Sequence, residues 1–126
     1  MKLILVTLVA AFFSCAEPQQ EGTAVKTLTP TEYKEKASKE GVLVDVRTPE
    51  EYAAGHLTEA TNSNFLDGTF AESIKGWDQE KTYYLYCASG NRSGKAAKLM
   101  QEAGFKNVYN IGGYQSLKSA GLPTKE

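Results

Sequence analysis

Apolar and polar positions alternate along this chain in two ways, as short apolar runs of strand length and as longer stretches with a helical period. The runs are Val42-Leu43-Val44, Tyr83-Tyr84-Leu85-Tyr86 and Val108-Tyr109-Asn110-Ile111, with a first strand at Val25-Lys26-Thr27-Leu28. Thr29-Pro30-Thr31-Glu32 places a capping Thr before a Pro at the first helical position, and a Glu where it completes a capping box. A helix is therefore predicted from Pro30 to near Gly41. The same grammar returns at Thr48-Pro49-Glu50-Glu51, opening a short helix that ends before Gly55, and Thr69-Phe70-Ala71-Glu72 opens another that ends near Gly76. From Ser93 to Ala103 the residues Ala96, Ala97, Leu99, Met100 and Ala103 share one helical face, and Gly104 supplies a stop. Gly112-Gly113 opens a last short helix, Tyr114 to Ser119, closed by Gly121 and Pro123. Strands that alternate with helices predict an α/β fold, a mainly parallel sheet with helices on both faces, whose ligands lie at the carboxyl ends of the strands. The loops after Val46, Tyr86 and Ile111 therefore matter most. Tyr83, Tyr84 and Tyr86 are expected to pack both faces of one strand, and Trp77 and Phe65 to cover an edge of the sheet.

The first residues follow a different pattern. Met1-Lys2 and an 11-residue run from Leu3 to Phe13 form a short basic head and an apolar stretch, well short of the roughly 18 residues a spanning helix needs. Residues 1–14 read as a signal peptide. Ser14-Cys15-Ala16 resembles the lipobox of bacterial lipoproteins, with Phe12 where that pattern usually has Leu. That resemblance implies a lipid on Cys15 and a domain exported and held at a bacterial membrane facing the periplasm. Residues 15–25 are then the lipidated Cys and a tether, of which 16–25 are polar, carry Pro and Gly without an apolar period, and suit flexibility. The folded domain is placed at 26–126.

Composition narrows the chemistry. With 126 residues, 14 Lys+Arg against 15 Asp+Glu and 41% hydrophobic residues, the chain fits one globular domain. It has no basic excess for nucleic acid. One His and two widely separated Cys give neither a disulfide framework nor a metal-ligand spacing, and Gly112-Gly113 lacks the rest of a dinucleotide fingerprint, so neither metal nor cofactor is implied.

Cys87-Ala88-Ser89-Gly90-Asn91-Arg92-Ser93 joins a hydrophobic strand to the best-defined helix. The thiol thus sits at a strand end beside a helix N-terminus, where unpaired N–H groups and the helix dipole favour a thiolate. Arg92 adds positive charge, and Gly90 lets successive amides point at one centre. Cys87 could instead be a small buried hydrophobe. Against this, the six residues after it are small or polar, and an exported lone thiol is open to oxidation.

These residues resemble the single-domain rhodanese-like sulfurtransferases over about residues 27–123. The resemblance rests on Leu43-Val44-Asp45-Val46-Arg47 with Thr48-Pro49-Glu50-Glu51-Tyr52 and Gly55-His56, on Tyr86 to Ser93, and on Gly112-Gly113 with Gly121-Leu122-Pro123. It implies a sheet of about five strands and a Cys87 that accepts a sulfane sulfur as a persulfide. The backbone amides from Ala88 through Ser89, Gly90 and Asn91 to Arg92 would hold the donor, with Arg92 steering the anion. Asp45, Arg47 and Ser93 would support the loop, and His56 would be structural. Implied partners are a small anionic sulfur donor, such as thiosulfate or a persulfide, and a thiol or cyanide acceptor. Leu117 replaces a frequent Trp, Thr58-Glu59 a frequent Pro-Gly, Ala88 a frequent charged residue, and Ser63 is polar where an apolar strand residue is expected.

Two other classes compete. Cysteine phosphatases and arsenate reductases close a similar loop with Arg, but theirs is one residue longer than the four between Cys87 and Arg92, and no aspartate in an obvious mobile loop supplies a general acid, with Asp67 and Asp78 left open. A thiol-redox or sulfur-sensing module that binds an envelope thiol protein without turnover would use the same fold. Tyr114 suits either the mouth of the site or the core.

Overall fold

The computed structural model describes residues 24–37 and 41–126. The expected signal peptide, Cys15 and most of the tether lie outside the described residues, as does the end of the first expected helix.

In chain order the elements are β1 (Lys26–Thr27), α1 (Pro30–Lys36), β2 (Val42–Asp45), α2 (Pro49–Ala54), β3 (His56–Leu57), β4 (Thr61–Asn62), α3 (Thr69–Ser73) with a 3-10 turn at Ile74–Gly76, β5 (Thr82–Cys87), α4 (Asn91–Glu102), β6 (Asn107–Gly113), α5 (Tyr114–Ser119) and β7 (Thr124–Lys125). Five strands form one parallel sheet in the order β1-β6-β5-β2-β4, and β3 pairs antiparallel with β7. Both capping boxes form. Glu32 N–H donates to Thr29 Oγ1 at 3.1 Å while Thr29 N–H donates to Glu32 Oε1 at 3.0 Å. Glu51 and Thr48 repeat the exchange at 3.2 Å in both directions. Such caps contribute about 1 kcal/mol each.

Three boundaries move. Helix α1 stops at Lys36 rather than near Gly41, because Ala37 swings to ψ 117° and leaves helical geometry. Strand β1 keeps only Lys26 and Thr27 of the expected four residues, and α4 begins at Asn91 rather than Ser93. The two-residue strands β3, β4 and β7 were not expected, since two residues are too few to display an alternation.

The sheet is buried on both faces, as parallel sheets are. On one face Val44, Val46, Leu85 and Cys87 pack with Phe70, Ile74, Ala96, Ala97 and Met100 from α3, the 3-10 turn and α4. On the other, Tyr84, Tyr86, Leu43 and Ile111 pack with Tyr33, Tyr114 and Leu117 from α1 and α5. Strand β5 therefore sends Tyr83 to one core and Tyr84 and Tyr86 to the other. Trp77 stacks on Tyr83 at 5.4 Å and meets Phe70 edge-on, covering the sheet together with Phe65. Tyr114 is a core residue, stacked 6.3 Å from Tyr86. Leu117 is fully buried in the same core, and Thr58 and Glu59 occupy an exposed turn. Ser63 is buried with no hydrogen-bond partner for its hydroxyl among the described residues, and nothing in the structure explains it.

One ion pair holds the carboxyl end of the sheet together. Asp45 is fully buried at the end of β2 and receives Arg47 Nη2 at 2.7 Å, Nε at 3.0 Å and the Arg47 backbone N–H at 2.9 Å. Arg47 Nη2 also donates to the Gly55 carbonyl at 2.6 Å, and its guanidinium lies 4.5 Å from the centre of the Tyr114 ring. The Asn62 amide bridges the Asp45 and Arg47 carbonyls at 3.0 and 2.9 Å. Removing one member of such a buried pair leaves an uncompensated charge. Asp45→Asn is expected to lower stability by about 3–5 kcal/mol in urea unfolding; a loss below about 1 kcal/mol would show that the pair is not what joins these segments.

Candidate active site

Cys87 ends β5, and the three residues Ala88, Ser89 and Gly90 turn the chain into α4. Gly90 adopts φ +93°, a left-handed conformation that a side chain disfavours, and this bend turns its N–H onto the Cys87 sulfur at 3.0 Å. Ser93 Oγ lies 3.4 Å from the same sulfur. Ala88, Ser89 and Asn91 are exposed around the rim, while the sulfur itself is buried. Burial pushes the Cys87 thiol up, but the Ser93 hydroxyl and the backbone N–H groups of Ser93, Ser89 and Gly90 outweigh it, so the thiol ionises below its ordinary value. Of the amides expected to form a cradle, the Gly90 N–H stands at a short hydrogen-bond distance from the sulfur.

Two expectations change. Ser93, expected to support the loop from behind, touches the sulfur. Arg92, expected to add positive charge beside the sulfur and steer the anion, donates Nη1 to Glu51 Oε1 at 2.7 Å and Nη2 to Glu51 Oε2 at 3.0 Å. The Arg92 guanidinium holds the Glu51 carboxyl down to about 2, partly against burial, with the Thr48 N–H assisting. Asp45 and Arg47 do not touch the sulfur; their pair holds the neighbouring β2 terminus, where Val46 N–H donates to the Tyr86 carbonyl at 3.0 Å. His56 stacks on Tyr52 at 3.7 Å with Nδ1 2.8 Å from the Tyr52 carbonyl, a structural position.

Sequence reasoning missed two residues. Glu51 read only as a helix cap. Asn110 is the other, and the visible signal was an amide inside an apolar strand. Between Leu85 and Tyr86 the β5–β6 register slips, so that Leu85 faces Asn110 and Tyr86 faces Gly112. At this bulge the Asn110 side chain reaches the loop, with Nδ2 donating to the Gly90 carbonyl at 3.0 Å and Oδ1 accepting the Gly112 N–H at 3.0 Å. Those two bonds fix the amide, and Oδ1 then accepts from Ser93 Oγ at 2.8 Å. The single Ser93 hydroxyl hydrogen therefore has two acceptors, Asn110 and the sulfur. Rotation toward sulfur stabilises a thiolate. Gly113 completes the contact because a Cβ there would lie 2.6 Å from the Ala88 carbonyl oxygen, so only glycine lets β6 approach the loop.

A loop of this build places one stabilised thiolate at a sheet's carboxyl edge. The rhodanese-like domain family matches residues 29–120. The thiosulfate sulfurtransferase GlpE of Pseudomonas entomophila is 36% identical over 75% of this chain and 85% of its own. Thiosulfate sulfurtransferase 16 of Arabidopsis thaliana, a chloroplastic protein, is 37% identical over 65% of this chain and 78% of its own. The crystal structure of a rhodanese-related protein from Thermoplasma volcanium superposes with a TM-score of 0.69 at 28% identity, covering 79% of this chain and 97% of that one. The chain belongs to the rhodanese-like family, and its sheet and helices are those of that fold.

The pH dependence of thiol reactivity reads the site directly. Alkylation of Cys87 by iodoacetamide is expected to show a midpoint below the roughly 8.5 of an ordinary thiol, rising toward it in Ser93→Ala. A wild-type midpoint at or above that value would mean that burial wins over the hydrogen bonds.

Proposed function

We propose that this rhodanese-type sulfurtransferase carries a sulfane sulfur on Cys87 as a persulfide, taking it from thiosulfate or another persulfide and yielding it to a thiol or cyanide. The observation that carries this reading is the Cys87 sulfur held by the Gly90 N–H and the Ser93 hydroxyl at the head of α4. In the first half-reaction the thiolate attacks the outer sulfur of the donor. A new sulfur–sulfur bond forms, the old one breaks, and its electron pair leaves with sulfite or a thiolate. In the second, the acceptor attacks the bound sulfur and the Cys87 thiolate is the leaving group. The Gly90 N–H, already aimed at the sulfur, and the Ser93 hydroxyl, which rotates onto it, stabilise the thiolate that attacks in the first step and leaves in the second. No general base is required, which agrees with His56 being occupied by Tyr52.

Phosphate transfer fits less well. Asp78 precedes β5, at the end of that strand opposite Cys87, and its carboxylate accepts the Glu80 N–H. Asp67 is held below the ordinary carboxylate range by the Thr69 side chain and N–H, the reverse of what a general acid needs. The lone thiol among the described residues gives a redox module no resolving partner within the domain.

The segment of residues 1–15 supports a location. Lipid on Cys15 would anchor the domain at a bacterial membrane on the periplasmic side, near envelope thiols. Radiolabelled palmitate should enter the full-length protein and be lost in Cys15→Ala; unlabelled protein, or an unchanged membrane fraction, would remove the anchor.

Intact-mass spectra before and after thiosulfate or a thiosulfonate should show one added sulfur atom, removed by cyanide and absent from Cys87→Ser. An adduct that survives Cys87→Ser, or none with either donor, would overturn the persulfide reading.

A further inference from the structure

Glu51 faces two ways. Its Oε1 accepts the Thr48 N–H and hydroxyl at 3.2 Å, which pins the carboxylate at the start of α2, and both its oxygens clasp the guanidinium of Arg92. The arrangement is a fork-to-fork pair, the strongest geometry available to these groups. It leaves little free positive charge near the sulfur. The other arginine of this sheet edge, Arg47, is matched by Asp45 in the same manner. Ala88, next to Cys87, offers only a methyl group, and Lys95 lies exposed on the second turn of α4, where solvent screens it. What remains is the amides and the roughly half charge of the helix N-terminus.

We propose that Glu51 sets the charge of the donor: by neutralising Arg92 it makes the Cys87 loop favour a singly charged sulfane donor, a persulfide or thiosulfonate, over doubly charged thiosulfate. This rests on the sulfurtransfer reading above and specifies its substrate class. The bookkeeping of charge explains why. When the thiolate meets thiosulfate, three negative charges share the loop, of which one stays on the Cys87 persulfide and two depart on sulfite. With a persulfide or thiosulfonate there are two throughout, and the departing thiolate or sulfinate carries one. A free arginine would offset the extra charge, whereas a clasped one offsets it only in part. The carboxyl stays ionised down to about pH 2 because Arg92 and Thr48 hold it so, and the clasp therefore persists at every working pH.

Methanethiosulfonate and thiosulfate form the deciding pair of probes, since a methyl group replaces one charged oxygen. In the full-length wild type, kcat/KM for methanethiosulfonate should exceed that for thiosulfate. Glu51→Gln keeps a capping-box side chain and removes the charge. It should raise the ratio of thiosulfate to methanethiosulfonate kcat/KM about five- to tenfold, the order expected of one solvent-screened unit charge. A wild type that prefers thiosulfate, or a ratio that Glu51→Gln leaves unchanged, would overturn the assignment. If neither donor loads Cys87, the sulfurtransfer reading falls instead. Alkylation then still decides the charge assignment: the ratio of iodoacetate to iodoacetamide rates at Cys87 should rise by a similar factor in Glu51→Gln, and a constant ratio would refute it.

Discussion

A buried sulfur that must carry negative charge is the constraint on which this molecule turns. Cys87 belongs to the hydrophobic core by position, among Val46, Leu85 and Ala96, and to the reactive surface by chemistry. Burial alone would keep it a neutral thiol. What reverses that is local and rigid: a left-handed glycine, one hydroxyl and the head of a helix, all within the seven residues from Cys87 to Ser93. The rest of the fold supplies the platform that keeps this short segment from relaxing.

Paired polar groups tie that platform together at the edge where the site lies. The Asp45–Arg47 pair fastens the β2 terminus to Gly55 and, through the Arg47 ring contact, to Tyr114; the Glu51–Arg92 pair fastens α2 to α4. Asn110 fastens β6 to the loop. Each joins segments distant in sequence at the one edge of the sheet where the strands stop and backbone hydrogen bonding runs out. Charges in these pairs cancel one to one. The sulfur is thereby left in a field made chiefly of backbone dipoles, which hold position better than long side chains do.

Much of this was legible from the chain. The alternation of apolar runs and capping motifs located the five helices of the described residues and the strands β1, β2, β5 and β6, because Thr-Pro and Gly signals depend only on neighbours. Cys87 and its loop were legible for the same reason, being local. What escaped were relations between distant residues and elements too short to carry a period. Glu51 had a sufficient local explanation as a cap, which concealed its pairing with a residue 41 positions away. Asn110 looked out of place in a strand, yet its role depends on a register slip that no single strand reveals. Ser93 was legible as a support of the loop, but only the turn at Gly90 brings its hydroxyl to the sulfur.

The register slip in β6 carries a consequence for how this domain can vary. Pairing resumes past the slip only because Ile111 is an extra residue between Asn110 and Gly112. Deleting it would leave Asn110 opposite Leu85 and Gly112 opposite Tyr86 in an unbroken ladder, but would take a fully buried side chain out of the core and remove the two-residue spacing in which the Gly112 N–H fixes the Asn110 amide. Regular pairing and a stabilised sulfur are therefore alternatives at this strand. The length of β6 between Asn107 and Gly113 is thus set by the loop it supports rather than by the ladder it joins.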